Sequence, residues 1–489
     1  MQEYKLFIGG EWADSSTDGT FYDLNPATLD KLASFQVAGK DDVNRAVEAA
    51  WAAFKTWRET PPPKRAMVLF RAARILEERK EELAVLMTQE MGKVLREARG
   101  DVQEAIDITL YAAGEGRRML GETTTSELKN KFCMTVLQPI GVIGVITPWN
   151  FPIAIPAWKL MPALVAGNGI VMKPASDTPL LTIKLVEVLM EAGLPPGVLN
   201  LVFGPGETVG AAVVHQPEIR AISFTGSLET GKWIMGECAK AMKRVSLELG
   251  GKNPIIIMDD ADIDLAVDGV IWGAFGTTGQ RCTAASRVIV HEAVKDEFTK
   301  RLLDRTQALR IGDGLDPKTD VGPVINESQL SKIEKYIRIG QNEGANLLTG
   351  GKVTSPGLPG FFFKPTIFTD VGPDMRIAQD EIFGPVVSLI PISGLDEAIE
   401  VANNTSYGLS SSIYTRDIAS AFRAIEKIEA GITYINSSTI GAEVHLSFGG
   451  VKGTGNGFRE AGTDAIKEFT EVKAVYFDYS GKLQKAQID

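Results

Sequence analysis

The stretch GVIGVITPWNFP, residues 141–152, joins a short apolar run to a loop rich in aromatic and polar side chains. A continuous apolar run of this length is typical of a strand that is buried on both faces. Four similar runs follow, and stretches with helical spacing separate them. They are GIVMK (169–173), VLNLVF (198–203), AISFT (221–225) and RVSLEL (244–249). This alternation predicts a parallel sheet with helices on both faces.

A second alternation of strands and helices follows along the chain. PIIIM (254–258) and RVIV (287–290) predict strands, and apolar spacing predicts helices over 263–274 and 294–309. Near the N-terminus the same spacing predicts one amphipathic helix over 41–57 and another over 64–87. We therefore expect an α/β protein whose two α/β domains meet near Gly250 and Gly251.

Composition and charge narrow the possible partners and compartments. The 489 residues carry a net charge of -11, which argues against a general nucleic-acid or anionic-membrane binder. Prolines and polar residues interrupt the apolar region 139–172, so no membrane span is predicted, and no signal peptide is apparent. The three cysteines are widely spaced, which indicates a reducing, cytoplasmic compartment without a zinc site. The acidic run DDAD (259–262) is typical of a helix start, and no metal site is predicted.

Several loops that follow predicted strands contain residues able to bind a ligand. In a parallel sheet, ligands bind beyond the carboxyl ends of the strands. TPWNFP (147–152), KPAS (173–176) and FTGSLETG (224–231) follow three of them. Gly226 and Ser227 lie where a strand gives way to a helix, a geometry that leaves N–H groups free for phosphate. Each loop alone is weak evidence, since glycine turns often only satisfy backbone sterics.

Cys282, in GQRCTA (279–284), is a candidate nucleophile, although a buried free cysteine is usually inert. A cysteine protease would need a histidine partner, and nothing marks His215, His291 or His445 for that role. Activation would then have to come from backbone N–H groups or from a cationic cofactor. Glu248, in LELGGKNP (247–254), lies between two leucines, where a raised pKa would suit a general base. A salt-bridge partner is the simpler interpretation of that glutamate alone.

Taken in order, the motifs TPWNFP, MKPAS, SFTGS, LELGGKNP, GQRCTA and EIFGPV (381–386) resemble the aldehyde dehydrogenase superfamily over nearly the whole chain. The resemblance implies a Rossmann-like dinucleotide-binding domain (1–119 and 139–250), an α/β catalytic domain (251–467) and a β-strand oligomerisation arm (120–138 and 468–489). Such an arm implies a homodimer or homotetramer, because exposed strand edges need partners.

The resemblance also implies a site and a reaction. Cys282 would attack the aldehyde, Asn150 would stabilise the oxyanion, Glu248 would activate the water that hydrolyses a thioester, and Lys159 would belong to the same catalytic group. The residues implied for dinucleotide binding are Trp149, Lys173, Ala175, Ser176, Gly206, Gly226, Ser227, Leu249, Glu381 and Phe383. Strongly NAD-preferring members usually have a glutamate at the position of Ser176. A serine does not repel a 2′-phosphate, so NADP is the favoured cofactor and NAD the second.

The substrate is less defined by the sequence. The resemblance places Phe151, Trp158, Arg281 and Phe448 along the path of the aldehyde. Arg281 could bind the carboxylate of a semialdehyde or could be a structural residue of the loop. The chain ending and Ser176 resemble sugar-acid pathway members that oxidise 2,5-dioxopentanoate, while succinate semialdehyde, glyceraldehyde and simple aliphatic aldehydes stay open. A CoA-acylating dehydrogenase, a non-redox thiol esterase and a catalytically idle protein are the alternatives.

Overall fold

A computed structural model describes residues 1–485 of the chain. Within them, 20 strands form four sheets and 15 α-helices pack around the two larger sheets. The arrangement confirms the predicted α/β class. No helix of these residues is both long enough and apolar enough to cross a membrane.

The first large sheet contains the strands that the opening stretch predicts. Its order is β12-β11-β8-β9-β10-β2-β3, in which the five strands from β8 to β12 run parallel and an N-terminal hairpin extends one edge. The bounds are β2 (Leu6–Ile8), β3 (Glu11–Ala13), β8 (Val142–Ile146), β9 (Gly169–Lys173), β10 (Leu199–Leu201), β11 (Ala221–Thr225) and β12 (Arg244–Glu248). Strands β8 and β9 are buried at every position, as their uninterrupted apolar sequences predict.

Eight helices surround this sheet. They are α1 (Lys40–Trp57), α2 (Pro62–Glu78), α3 (Lys80–Met91), α4 (Leu95–Glu115), α5 (Ala154–Ala166), α6 (Pro179–Glu191), α7 (Ala211–His215) and α8 (Leu228–Lys240). The prediction of one helix over 64–87 was wrong, because the chain breaks at Arg79, which ends α2 and begins α3 with φ -101° and ψ 8°. Leu76 and Leu83 are seven residues apart and both buried, so the apolar spacing continues across the break and hides it.

The second large sheet has the order β15-β16-β17-β14-β13-β18-β19 and is parallel except at β15. Its strands are β13 (Asn253–Ile257), β14 (Ala285–His291), β15 (Asn346–Thr349), β16 (Thr366–Thr369), β17 (Val386–Ile392), β18 (Ser410–Tyr414) and β19 (Ile432–Ile435). The helices of this part are α9 (Ile263–Phe275), α10 (Glu292–Ala308), α11 (Glu327–Asn342), α12 (Arg376–Gln379), α13 (Leu395–Asn403) and α14 (Ile418–Lys427). The short α15 (Asp464–Glu468) packs instead against α5, beside the first sheet. Asp262 caps α9 by accepting from the Leu265 N–H, as expected for DDAD.

Two three-stranded sheets complete the fold. One is formed by β1 (Gln2–Tyr4), β4 (Thr20–Leu24) and β5 (Lys31–Gln36). The other joins β6 (Thr123–Thr125), β7 (Lys131–Pro139) and β20 (Thr470–Asp478), and β20 pairs with β7 over nine residues. The predicted domain boundaries stay a prediction, and residues 486–489 of the predicted arm lie outside the described residues.

Candidate active site

The loop that presents Cys282 follows α9 through a tight turn over Gly276–Gly279. Thr277 and Thr278 have the left-handed φ values 51° and 57°. A Cβ at Gly279 would come within 2.2 Å of the Gly384 carbonyl, so only glycine fits there. Beyond the turn, Asn253 Nδ2 donates to the Cys282 carbonyl at 2.7 Å and to the Ala284 carbonyl at 2.9 Å. The turn and the asparagine together fix the backbone around the cysteine.

Cys282 is partly exposed as a residue, but its thiol lies in a strongly unfavourable setting for a thiolate. Burial by its neighbours, followed by the negative charges of Glu381 and Glu248, raises its pKa to about 12. No histidine offsets this effect. His215 contacts Glu237, His445 lies beside Glu443, and His291 caps α10. The prediction that activation must come from elsewhere is consistent with this environment.

Two cavities meet at Cys282. The first, here the Phe383 cavity, measures about 190 Å³. It brings together eight residues singled out from the sequence: Trp149, Asn150, Gly226, Ser227, Leu249, Cys282, Glu381 and Phe383. The second, here the Phe448 cavity, measures about 110 Å³. It brings together Phe151, Trp158, Glu248, Leu249, Arg281, Cys282 and Phe448. Cys282 and Leu249 lie at the junction.

The Phe383 cavity is shaped by aromatic and acidic side chains. The rings of Trp149 and Phe383 meet edge to face with centroids 5.4 Å apart. Phe383 has φ 61°, an uncommon conformation for a bulky residue, which marks it as a position held by its surroundings. Glu381 accepts from the Gly251 N–H at 2.9 Å, and burial raises the pKa of its carboxyl. The Ser227 hydroxyl caps α8 by accepting from the Thr230 N–H, and Gly226 and Ser227 line this cavity, so α8 begins at its wall.

A third cavity, the Gly206 cavity, lies beside α8 and contains Gly206, Gly210, Phe224 and Trp233 among its walls. The other cofactor residues predicted from the sequence, Lys173, Ala175 and Ser176, do not line any of these three cavities. Lys173 Nζ donates to the Pro174 carbonyl at 2.9 Å, and Ser176 Oγ donates to the Gly204 carbonyl at 3.0 Å. A Cβ at Gly210 would lie 3.5 Å from Lys173 Cδ, so this lysine packs against the turn that begins the Gly206 cavity.

Asn150 is 3% exposed, and its amide Nδ2 donates to the Gln280 carbonyl at 3.1 Å. An amide nitrogen has two hydrogens, so one donor stays available on a side chain that lines the Phe383 cavity. The Asn150 carbonyl accepts from Lys93 Nζ at 2.8 Å. Asn150 is therefore anchored through its backbone to a lysine and through its side chain to the cysteine loop.

Charged residues on α4 and just before it bind the loop that contains Asn150 and the turn that precedes Cys282. They were not predicted from the sequence. Lys93, just before α4, forms a fully buried ion pair with Asp101 at 2.6 Å, and Asp101 also accepts from the Ala154 N–H at 3.0 Å. One turn earlier, buried Glu97 accepts from the Thr277 N–H at 2.8 Å. The spacing of 93, 97 and 101 was visible, but charged residues four apart usually form exposed pairs on a helix surface.

Arg281 points into the Phe448 cavity between two aromatic rings. Its guanidinium carbon lies 5.2 Å from the ring centroids of both Phe151 and Trp272. Its Nε donates to Thr277 Oγ1 at 2.9 Å. Within residues 1–485 it forms no ion pair with a carboxylate of the chain. The cation is thus supported by aromatic faces and one hydroxyl, with its terminal nitrogens left for a ligand.

Glu248 ends β12 and is buried, and neither of its carboxylate oxygens has a hydrogen-bond partner among the described residues. Burial, and then the charge of Glu460, raises its pKa well above the usual value, while the charge of Lys159 lowers it. Lys159 is fully buried, pairs with Glu460 and donates to Ser223 Oγ at 2.9 Å. A Cβ at Gly449 would come within 2.6 Å of Glu248 Oε1, so a glycine is required beside this carboxyl.

The chain is similar to known proteins over nearly its whole length. Residues 12–475 match the model of the aldehyde dehydrogenase family. An α-ketoglutarate semialdehyde dehydrogenase of Haloferax volcanii is 45% identical over 97% of this chain and 99% of its own length. A crystal structure of betaine aldehyde dehydrogenase from Staphylococcus aureus in complex with NAD+ has a TM-score of 0.96 at 36% identity, covering 99% of this chain and 97% of that one. An E. coli NADP-dependent enzyme has a TM-score of 0.94 at 39% identity, with 98% of each chain covered.

Proposed function

The chain belongs to the aldehyde dehydrogenase family, and we propose that its substrate is α-ketoglutarate semialdehyde (2,5-dioxopentanoate), oxidised with NADP in preference to NAD. The protein is an NAD(P)-dependent oxidoreductase of the EC 1.2.1 class that converts an aldehyde into the carboxylic acid. The observation that carries the substrate proposal is the position of Arg281, whose free cation shares one cavity with Cys282.

We assign the chemistry of the acid-forming reaction to four residues. Cys282 Sγ adds to the aldehyde carbon, and the negative charge that develops on the aldehyde oxygen is stabilised by the Asn150 amide and the Cys282 N–H. A bound oxidised nicotinamide supplies the hydride acceptor that turns this adduct into a thioester, and a positive charge beside the thiol. Glu248 then removes a proton from the water that attacks the thioester, which releases the acid and restores Cys282. Lys159 pairs with Glu460, and its positive charge offsets the negative charge by which Glu460 raises the pKa of Glu248.

The residues present fit a dinucleotide. The Phe383 cavity offers two aromatic faces for a flat ring, a buried carboxylate for ribose hydroxyls at Glu381, and the start of α8 for phosphate. The Gly206 cavity adds an apolar wall of Phe224 and Trp233 suited to a second flat ring. We propose that Lys173, Ala175 and Ser176 bind the ribose between the two cavities, together with Trp149, Gly206, Gly226, Ser227 and Leu249.

The preference for NADP rests on Ser176, which offers a hydroxyl where a carboxylate would repel a 2′-phosphate. Ser176→Glu should lower the NADP/NAD ratio of kcat/KM by at least tenfold, whereas Ser176→Gln, of similar size but uncharged, should change that ratio much less. Equal ratios in the glutamate variant and the parent would remove the reason for preferring NADP.

The substrate proposal rests on charge. A semialdehyde with a carboxylate at its far end can place the aldehyde at Cys282 and the carboxylate at Arg281, and a charged hydrogen bond contributes about 1.5–3 kcal/mol. The named substrate of the Haloferax volcanii relative has this arrangement. A CoA-acylating enzyme would not need Glu248, and a non-redox esterase would not need the Phe383 cavity, so neither alternative is favoured.

The test is reduced-nicotinamide absorbance across 2,5-dioxopentanoate, succinate semialdehyde, glyceraldehyde and hexanal, each with NADP and NAD. We expect the highest kcat/KM for 2,5-dioxopentanoate. Arg281→Met should lower that value by roughly ten- to a hundredfold, and Arg281→Lys, which keeps the charge, should lower it less. An enzyme that uses hexanal as well as the semialdehydes would contradict the proposal.

We also propose that β6, β7 and β20 form an oligomerisation arm and that the enzyme is a cytoplasmic homotetramer or homodimer, with domains divided as predicted from the sequence. β20 lies at the edge of its sheet and exposes Val472, Tyr476 and Phe477, and an exposed apolar edge requires a partner. The three free cysteines support a reducing compartment. Light scattering coupled to size-exclusion chromatography gives the mass, and a monomer would contradict the arm.

A further inference from the structure

The Phe448 cavity contains one acidic side chain outside the group around Glu248. Glu104 lies on α4, one turn beyond Asp101, and lines the same cavity as Arg281 and Cys282. It forms no hydrogen bond and no ion pair with any residue between 1 and 485. The rest of the wall near it is aromatic, with Phe151, Trp158 and Phe448. A polar group left without a partner in such a place is available to a ligand.

We propose that Glu104 is a specificity-determining residue that donates a hydrogen bond from its carboxyl to the 2-oxo oxygen of the substrate, while Arg281 binds the adjacent carboxylate. The inference rests on the proposed function, because it assigns the remaining polar atom of that substrate. In 2,5-dioxopentanoate the carboxylate and the 2-oxo group are on neighbouring carbons. Two neighbouring polar groups of the protein are therefore needed to form hydrogen bonds with both.

The charge on Glu104 decides whether this pairing is possible. An ionised carboxylate has no proton to donate and would compete with the substrate for Arg281, whereas a neutral carboxyl donates one hydrogen bond and leaves the arginine free. Burial, and then the charge of Asp101, raises the pKa of Glu104 to about 8, so the neutral form predominates at neutral pH.

Several charged groups face Glu104 and bear on its titration. From its own helix and the residues before it come Asp101, Asp107 and Lys93, of which the two aspartates raise its pKa and the lysine lowers it. Arg281, from the cysteine loop, also lowers it, and Tyr434 approaches from β19. Across the cavity lie Glu248, Glu460 and Cys282.

The test compares two substrates that differ by one oxygen. 5-Oxopentanoate has the length and carboxylate of 2,5-dioxopentanoate but lacks the 2-oxo group. The parent enzyme should prefer 2,5-dioxopentanoate in kcat/KM by about tenfold, the magnitude of one hydrogen bond to an uncharged group. Glu104→Leu should abolish this preference, whereas Glu104→Gln, whose amide also donates, should keep most of it.

The pH dependence of this substrate preference is a second measurement, and it would not change if Glu104 had only a structural role. In the parent, kcat/KM for 2,5-dioxopentanoate divided by that for 5-oxopentanoate should fall as pH rises through about 8, since the ionised carboxylate can no longer donate. In Glu104→Gln the ratio should be flat, and this variant suffices if Glu104→Leu does not fold. The role assigned to Glu104 would be overturned if Glu104→Leu kept the parent's ratio of the two kcat/KM values, or if Glu104→Gln showed the same pH dependence of that ratio as the parent. Either result would leave the proposed substrate untouched. A parent that oxidises hexanal as efficiently as both acids would overturn the substrate proposal itself.

Discussion

The free enzyme should hold Cys282 as a thiol at neutral pH, which can be measured by alkylation. With a pKa of about 12, about one molecule in 10⁴ carries the thiolate at about pH 8, whereas about one in four molecules of an ordinary cysteine with pKa ~8.5 does so. Because only the thiolate reacts, Cys282 should be alkylated about 2,000-fold more slowly than an unperturbed thiol. The rate should rise tenfold per pH unit from about pH 8 to about pH 11, without a plateau.

The assay is timed modification with iodoacetamide, followed by mass spectrometry of the peptide that contains Cys282. Peptides with Cys133 and Cys238, which are free and buried, report any general opening of the fold at high pH. Glu381→Gln removes the neighbouring charge that contributes most to the raised pKa, so this variant should react faster than the parent at each pH. A rate that levels off near pH 8 in the free parent enzyme would refute the assigned environment of the thiol.

Three further predictions concern the residues around the thioester and the loops. Glu248→Gln should give a burst of reduced cofactor followed by slow turnover, and unchanged steady-state turnover in this variant would count against Glu248 as the base. In the parent, the rate of acyl-enzyme hydrolysis should rise with pH, with an inflection well above the pKa range of an ordinary glutamate, because the raised pKa keeps Glu248 protonated at lower pH. In stopped-flow measurements, Lys159→Met should move that inflection to higher pH and Glu460→Gln to lower pH, and shifts in the same direction would contradict the charge assignment. Lys93→Met should destabilise the protein by about 3–5 kcal/mol by leaving Asp101 buried without a partner, and it should lower kcat through Asn150; combining it with Asp101→Leu should restore thermal stability but not kcat.

The sequence predicted the strands and the convergence of the site for one physical reason. Strands buried on both faces are uninterrupted apolar runs, so β8 to β12 were recognisable without any long-range information. Loops at the carboxyl ends of parallel strands meet at one edge of the sheet. Asn150 follows β8, Glu248 is the last residue of β12, and Cys282 follows the helix after β13. The two cavities do bring them together.

Contacts between distant segments could not be predicted in this way. Lys159 and Glu460 are 301 residues apart, and their pairing depends on how the chain returns after the second sheet. The buried charges beside α4 were hidden because Lys93, Glu97 and Asp101 follow one another at intervals of four residues, the spacing of exposed charges on a helix surface, whereas the ion pair joins Lys93 to Asp101, eight residues on. Ser176 gives another example. Its hydroxyl donates to the carbonyl of Gly204, 28 residues further along the chain, a contact that periodicity and motif spacing do not specify.

Among the described residues no histidine contacts Cys282, and the charges on its two sides indicate what kind of group could activate it. Glu381 lines the Phe383 cavity and Glu248 lines the Phe448 cavity, so the thiol lies between two carboxyls that both oppose its ionisation. A cation placed in the Phe383 cavity opposes Glu381 directly and lowers the energy of the thiolate, as an imidazolium does in a cysteine protease. We therefore propose that Cys282 becomes nucleophilic where and when the oxidised dinucleotide is bound. In the free enzyme the same carboxyls keep the sulfur as a thiol, which reacts poorly with electrophiles and oxidants.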